Sequence, residues 1–173
     1  QVILLLCAGR LDRIEGYVRP GRGRDHALRI VHDLLAREPL GRGTDLAGAL
    51  RFAQRVLRRR GIVAVISDFQ DEGYEKALGA LRRRHDVVAL HLRDPREADV
   101  PAAGLVAFSD PETGERVVAD TARPEVRRAL RAPALEASQA VFKKTRVDAL
   151  ALSTGESYER PLSGFFESRE RRR

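Results

Sequence analysis

Two short stretches place oxygen donors where a loop meets a regular element: Gly41-Arg42-Gly43-Thr44-Asp45-Leu46 and Ile66-Ser67-Asp68-Phe69-Gln70-Asp71. About one βα unit separates them. Hydroxyls and carboxylates on neighbouring loops are the ligands a hard divalent cation takes, so the layout is that of a cation site shared between two loops. Each residue also has a plainer role. Thr44 or Asp45 serves as N-cap of the helix that follows. Asp68 ends an apolar strand, where ligands bind in open α/β sheets; its plainer role is to cap the next helix, a task for which Asp71 is better placed.

The elements that must position these residues follow from hydrophobic spacing. Val2 to Leu6 reads as a buried strand, and Leu11 to Val18 as a second, the two forming a hairpin around Ala8-Gly9-Arg10. Pro20-Gly21-Arg22-Gly23 then breaks the strand. Asp25 to about Arg37 is a helix with Ala27, Leu28, Ile30, Val31, Leu34 and Leu35 on its buried side. His26 and His32, six apart, do not share a face and read as surface residues. A second helix starts near Thr44, with Leu46, Ala49, Leu50, Ala53, Val56 and Leu57 as its buried stripe. Gly61 to Ile66 is apolar throughout, as expected of a parallel strand covered on both faces.

A helix from about Gly73 to Arg84 and a buried strand from Asp86 to Leu92 come next. Leu105 to Phe108 and Arg116 to Ala119 flank a turn-rich loop and form a hairpin. Arg123 to about Lys144 is helical with a break at Pro133. Val147 to Leu152 is a last strand, and Pro161 opens a terminal helix docked through Leu162, Phe165 and Phe166. Strands alternating with helices give an α/β domain with a mostly parallel sheet, the early hairpin supplying an antiparallel edge.

Composition narrows the class. The chain has 173 residues, 43% of them hydrophobic, enough for one core and a single domain. No apolar run reaches membrane-spanning length, and the opening apolar run lacks a signal peptide's basic flank. The single cysteine, Cys7, reads as a small buried hydrophobe; with no internal partner for it, a reducing, cytoplasmic setting is expected. Gln1 leads straight into a strand and there is no methionine, so a piece of a longer, N-terminally incomplete protein is expected. The net charge of +7 raises nucleic acid as a partner. However, Arg58-Arg59-Arg60, Arg82-Arg83-Arg84 and Arg171-Arg172-Arg173 each close a helical pattern, where cations complement the helix dipole.

Enzyme motifs are missing. There is no phosphate loop, no Gly-x-Ser-x-Gly elbow and no strand-linked Gly-x-Gly-x-x-Gly. Cys7 and the histidines form no nucleophile arrangement, and Asp68, Asp71 and Glu72 imply no substrate pocket. The expectation is a non-enzymatic protein.

The two donor stretches belong to a longer pattern. Gly41-Arg42-Gly43-Thr44-Asp45-Leu46 with Ala49-Leu50, Ile66-Ser67-Asp68-Phe69, Asp71 to Leu78, Arg84 to Ala89, Asp94-Pro95-Arg96-Glu97, Gly104-Leu105-Val106, Glu112-Thr113-Gly114-Glu115 and Pro161 to Phe166 stand in an order that resembles a family. It is the von Willebrand factor A-like proteins grouped as domain of unknown function 58, found in bacteria beside MoxR-type AAA+ ATPases.

That resemblance implies a Rossmann-type, mostly parallel sheet flanked by helices, with a metal-ion-dependent adhesion site at its top edge. Thr44 matches the family's threonine and Asp68 its aspartate. The Asp-x-Ser-x-Ser element has no match here, so the chain is expected to lack the family's first strand and helix. A slot between Val2 to Leu6 and Ile62 to Ile66 is then expected, filled by an upstream segment, a second chain or a rearranged packing.

The resemblance further implies Mg2+ or Mn2+ as cofactor of the complete family site, bound poorly by the two matching side chains alone, with an acidic residue of a protein partner completing the shell. The function implied is an interaction module accessory to a MoxR-type AAA+ ATPase in chaperone-like assembly. Two alternatives remain open: a basic nucleic-acid-associated domain using Arg58 to Arg60 and Arg82 to Arg84, and a metal-assisted hydrolase at the same loops.

Overall fold

Burial and backbone pairing single out the run Asp86-Val87-Val88-Ala89-Leu90-His91-Leu92-Arg93. Five consecutive residues of it, Val87 to His91, are buried, so both faces must be covered and both edges hydrogen-bonded. The computed structural model meets both demands and describes residues 2–6, 16–36, 44–95, 100–109, 114, 116–130 and 134–172. Strand β4 (Asp86–Arg93) lies between β3 (Ile62–Ser67) and β7 (Asp148–Ser153), parallel to each, in a three-stranded sheet of order β3-β4-β7. Ile62 faces Asp86 across one edge, and Val88 faces Asp148 across the other.

Helices α2 (Leu46–Val56), α3 (Glu75–Arg84) and α5 (Ala134–Thr145) form the layer on one face. Their Leu46, Leu50, Ala53, Leu78, Leu81 and Phe142 meet Val65 of β3 and Val87 and Ala89 of β4 in one core. These strand residues share a parity, as side chains on one face of a strand must. The other parity is covered by α6 (Glu159–Glu170), which lies on β7 and reaches β4 through Arg169. Arg169 is buried and bridges two aspartates, Nη2 to Asp86 Oδ1 at 2.6 Å and Nη1 to Asp148 Oδ2. Each aspartate opens a strand, so a single guanidinium joins the start of β4 to the start of β7.

Two antiparallel hairpins lie apart from this sheet. In the first, β1 (Val2–Leu6) pairs with β2 (Gly16–Gly21), Leu6 opposite Gly16. In the second, β5 (Leu105–Ser109) pairs with β6 (Arg116–Asp120). Thr121, fully buried, closes it: its hydroxyl donates to Gly104 O and accepts from Ala103 N. Helix α1 (Arg24–Ala36) follows the first hairpin, and α4 (Pro124–Leu130) follows the second.

Several expectations are corrected. The first hairpin is not hydrogen-bonded to the parallel sheet, so it supplies no edge to it. Pro20 and Gly21 lie inside β2 rather than ending it; a proline fits a strand where its missing N–H faces no neighbour. Strand β3 is not covered on both faces: Ile62 and Ile66 are 61% and 62% exposed, because α6 covers β7 and not β3. The stripe of α1 is open too, with Leu28, Val31 and Leu34 about half exposed and Leu35 83% exposed. Among the described residues no strand pairs with the free edge of β3, on the side where a slot was expected.

The helical region after Arg123 divides into α4 and α5, with Pro133 outside the described residues. Readings placed on Gln1, Cys7, the turn Ala8 to Arg10, Leu11 to Glu15, Arg37 to Gly43, Arg96 to Asp99, Asp110 to Thr113, Glu115 and Arg173 also fall outside them.

Three outcomes follow from this packing. Leu78, with no exposed surface, should lose about 2–5 kcal/mol on Leu78→Ala, read by denaturant unfolding. Glycine replacements should diverge. A Cβ on Gly79 meets only Thr145 Cγ2 at 3.6 Å, so Gly79→Ala should gain about 0.5–1 kcal/mol; one on Gly48 lies 2.0 Å from Asp45 Oδ2, so Gly48→Ala should gain nothing.

His85 and His91 are buried, and burial pushes both imidazole pKa values down, the Arg84 charge assisting at His85 and the Asp68 backbone opposing at His91. A histidine depressed in the folded state leaves the unfolded chain to bind its proton first. Stability should therefore be full above about pH 6.5 and fall as pH drops toward the folded-state values. A midpoint that holds constant or rises on acidification from pH 7.5 to 5.5 would contradict this.

Candidate functional site

Asp68 stands one residue past β3, at the carboxyl end of the parallel sheet, and is exposed. Its Oδ1 accepts from Gln70 N at 3.2 Å and from Ser67 Oγ at 3.4 Å. Ser67 Oγ in turn accepts from Phe69 N at 3.0 Å. The chain turns sharply here, because Phe69 adopts φ 54°, a left-handed conformation uncommon for a residue with a Cβ. What holds it is burial: the ring is 3% exposed and packs edge-on against Phe142 at 4.8 Å and His91 at 5.5 Å, with Tyr74 at 5.7 Å. With Phe69 plugged inward, the adjoining Asp68 is left on the outside. His91 is fixed beneath the loop by Ser138 Oγ at 3.4 Å and by the backbone of Asp68.

The second loop is joined to the first by one carboxylate. Asp71 Oδ2 accepts from Leu46 N at 2.8 Å, the first residue of α2, and its Oδ1 accepts from Glu72 N at 2.8 Å. Beside it, Asp45 is the N-cap of α2, accepting from Gly48 N at 2.7 Å. The positive end of α2 thus faces two carboxylates. Burial and the Asp71 charge together push the Tyr74 hydroxyl up to about 12, so the phenol stays neutral below the loop. Thr44, exposed just before Asp45, and Ser67 line one hollow of about 150 Å³ between α2 and β3.

The structure therefore brings Thr44, Ser67 and Asp68 to neighbouring loops at the carboxyl end of the sheet. Between the two N-cap candidates, Asp45 is the cap. Asp71 does not cap α3 as the sequence suggested: α3 has Tyr74 at its N-cap without a side-chain bond, and Asp71 is drawn instead to the unpaired N–H of α2. Asp68 caps no helix either, and turns its carboxylate onto its own loop.

The sequence assigns no separate role to two residues of the second stretch. Ser67 is a third oxygen donor, signalled only by its place before Asp68. Phe69 gives no signal at all, since nothing in an apolar residue after an aspartate announces a left-handed backbone.

All the donors are hard oxygens, which suits Mg2+ or Mn2+. Among the described residues no group of three or more histidine, cysteine, aspartate or glutamate side chains is placed to hold a metal. The two loops carry two hydroxyls, Thr44 and Ser67, and one exposed carboxylate, Asp68. No helix among the described residues is long and apolar enough to cross a membrane.

Comparison with known proteins gives consistent relatives. An uncharacterised protein of Mycobacterium avium is 38% identical over 97 residues, covering 56% of this chain and 57% of its own. An uncharacterised protein of Mycobacterium tuberculosis is 35% identical over 97 residues, covering 56% of this chain and 31% of its own. The match therefore spans between about a third and somewhat over half of these relatives. Among solved structures, an aerotolerance-related membrane protein from Bacteroides fragilis, crystallised with multiple mutations to serine, aligns over 83% of this chain and 70% of its own, with TM-score 0.48 and 18% identity. The family model described as "Protein of unknown function DUF58" matches residues 5–140, most of the length, and the chain belongs to that family.

Proposed function

We propose that the protein is a non-enzymatic interaction module whose contact with a partner runs through a divalent cation at the carboxyl end of the sheet. The observation that carries this reading is Asp68, exposed beside the inward plug of Phe69 and adjoining Ser67, which lines one hollow with Thr44. Thr44 and Asp68 hold Mg2+ or Mn2+ in this reading, with Ser67 as a further hydroxyl. Such an ion supplies a positive charge with exchangeable positions, which water or a carboxylate from another protein occupies.

This chain's own part is positional. Asp71 ties the start of α2 to the β3 loop, so Thr44 and Asp68 move as one unit rather than as two independent loops. Exposure of both leaves room for a partner's acidic side chain. The likeness to von Willebrand factor A-like proteins, and the pairing of such proteins with MoxR-type AAA+ ATPases in chaperone-like assembly, make an ATPase complex the natural place to look for that partner.

Calorimetric titration of Mn2+ tests the reading, using the 173-residue protein and a form extended upstream, each with and without Asp68→Ala. Cation binding is expected in the extended form, abolished by Asp68→Ala and weakened by Thr44→Val. Binding in neither form, or binding indifferent to Asp68→Ala, would remove the metal-bridged contact.

A further inference from the structure

The opposite end of the sheet holds a second concavity of different chemistry. A hollow of about 630 Å³ opens at the amino ends of β3, β4 and β7, lined by Arg60, Arg82, Arg169, Arg172, Asp86 and Asp148 together with Gly61 and Ile62. It is separated from Asp68 by the length of β3, about 17 Å for a six-residue strand. The volume falls in the range of small-molecule sites.

The charges in it are arranged, not scattered. Asp86 and Asp148 are both engaged by Arg169, which is buried at the floor. Arg82 is steered by carbonyls: its Nε donates to Arg146 O at 3.1 Å and its Nη1 to His85 O at 3.5 Å. Those bonds orient the guanidinium without cancelling its charge. Arg172 donates from Nε to Ser168 O at 3.2 Å, and neither Arg172 nor Arg60 has a carboxylate partner among the described residues. Four arginines against two aspartates leave the lining with two positive charges in excess.

We infer that this hollow is a binding site for the phosphate groups of a small, multiply charged phosphorylated molecule. Guanidinium groups match phosphate oxygens through paired, charge-assisted hydrogen bonds, which a diffuse cationic surface does not offer. Among the described residues the lining has no aromatic ring on which a nucleobase could stack, so recognition rests on the phosphates. Arg60 comes from the loop between α2 and β3, Arg82 from α3 and Arg172 from just past the end of α6, so the site forms only when α3 and α6 are docked on the sheet beside that loop.

The probe is pyrophosphate, titrated calorimetrically into the 173-residue protein at about 50 mM and about 150 mM salt. Saturable binding is expected in the parent protein at both. Arg60→Ala/Arg172→Ala should weaken it about tenfold or more, each lost charge-assisted bond contributing. Arg83→Ala/Lys143→Ala removes two charges from residues that do not line the hollow and should leave affinity within about twofold, since neither side chain can bond a phosphate held there.

Absence of saturable binding, or equal losses in both double variants, would overturn the site in favour of diffuse charge. Phosphatidic-acid vesicles and a DNA duplex distinguish the sources of the phosphate. Binding of either one more tightly than pyrophosphate at the same hollow, lost in Arg60→Ala/Arg172→Ala, overturns the small-molecule ligand in favour of a macromolecular source of the phosphate. Binding of either one that pyrophosphate does not displace overturns the proposal.

Discussion

The structure depends on the double burial of β4. A strand covered on both faces cannot leave its peptide groups to water, so it must find hydrogen-bonding neighbours on both edges, and β3 and β7 supply them. Their parallel direction and register set the side of the sheet on which each loop emerges. Ser67 and Asp68 leave at one end because β3 runs beside β4. Asp86 and Asp148 share the other end because β4 and β7 start together, and Arg169 reconciles their charges there. A buried pair of this kind is weak evidence for stability, since desolvation offsets the attraction; its clearer effect is to fix α6 against the sheet.

Parallel topology also separates the charges. Each helix between parallel strands returns against them, so the chain after α2 and the end of α3 both arrive at the amino edge of the sheet, while Ser67 and Asp68 leave at the carboxyl edge. Arg58 to Arg60 and Arg82 to Arg84 read along the chain as separate solvated triplets. In space Arg60 and Arg82 share one hollow. Part of the positive charge is thus gathered at one place by the fold rather than by the sequence.

Much of the fold was legible in the sequence, and the misses have physical reasons. The strands Val2 to Leu6, Ile62 to Ser67, Asp86 to Arg93 and the hairpin from Leu105 were readable because apolar runs bounded by turn residues have few alternatives. The alternation of strand and helix gave the parallel sheet. Coverage was not readable: Leu35 of α1 and Ile66 of β3 carry the pattern of buried residues, but periodicity reports which face is apolar and not what lies against it. Asp68 and Thr44 were visible by position relative to the elements. Asp71 was misassigned because two helix starts compete for one carboxylate, and the winner lies twenty-five residues away in sequence. Arg169 was hidden among arginines, since only the fold brings it to Asp86 and Asp148.

Phe69 carries a consequence for what this position tolerates. The backbone at φ 54° favours glycine, whereas the aromatic cluster around Phe142, His91 and Tyr74 requires a large ring. The two demands oppose each other at a single residue. A glycine would relax the turn and empty the cluster; a smaller L-residue would keep the torsional cost and lose part of the packing. Position 69 is therefore a narrow passage in sequence space, where single-step substitutions in either direction lose something, and drift at the neighbouring exposed Gln70 faces no such restriction.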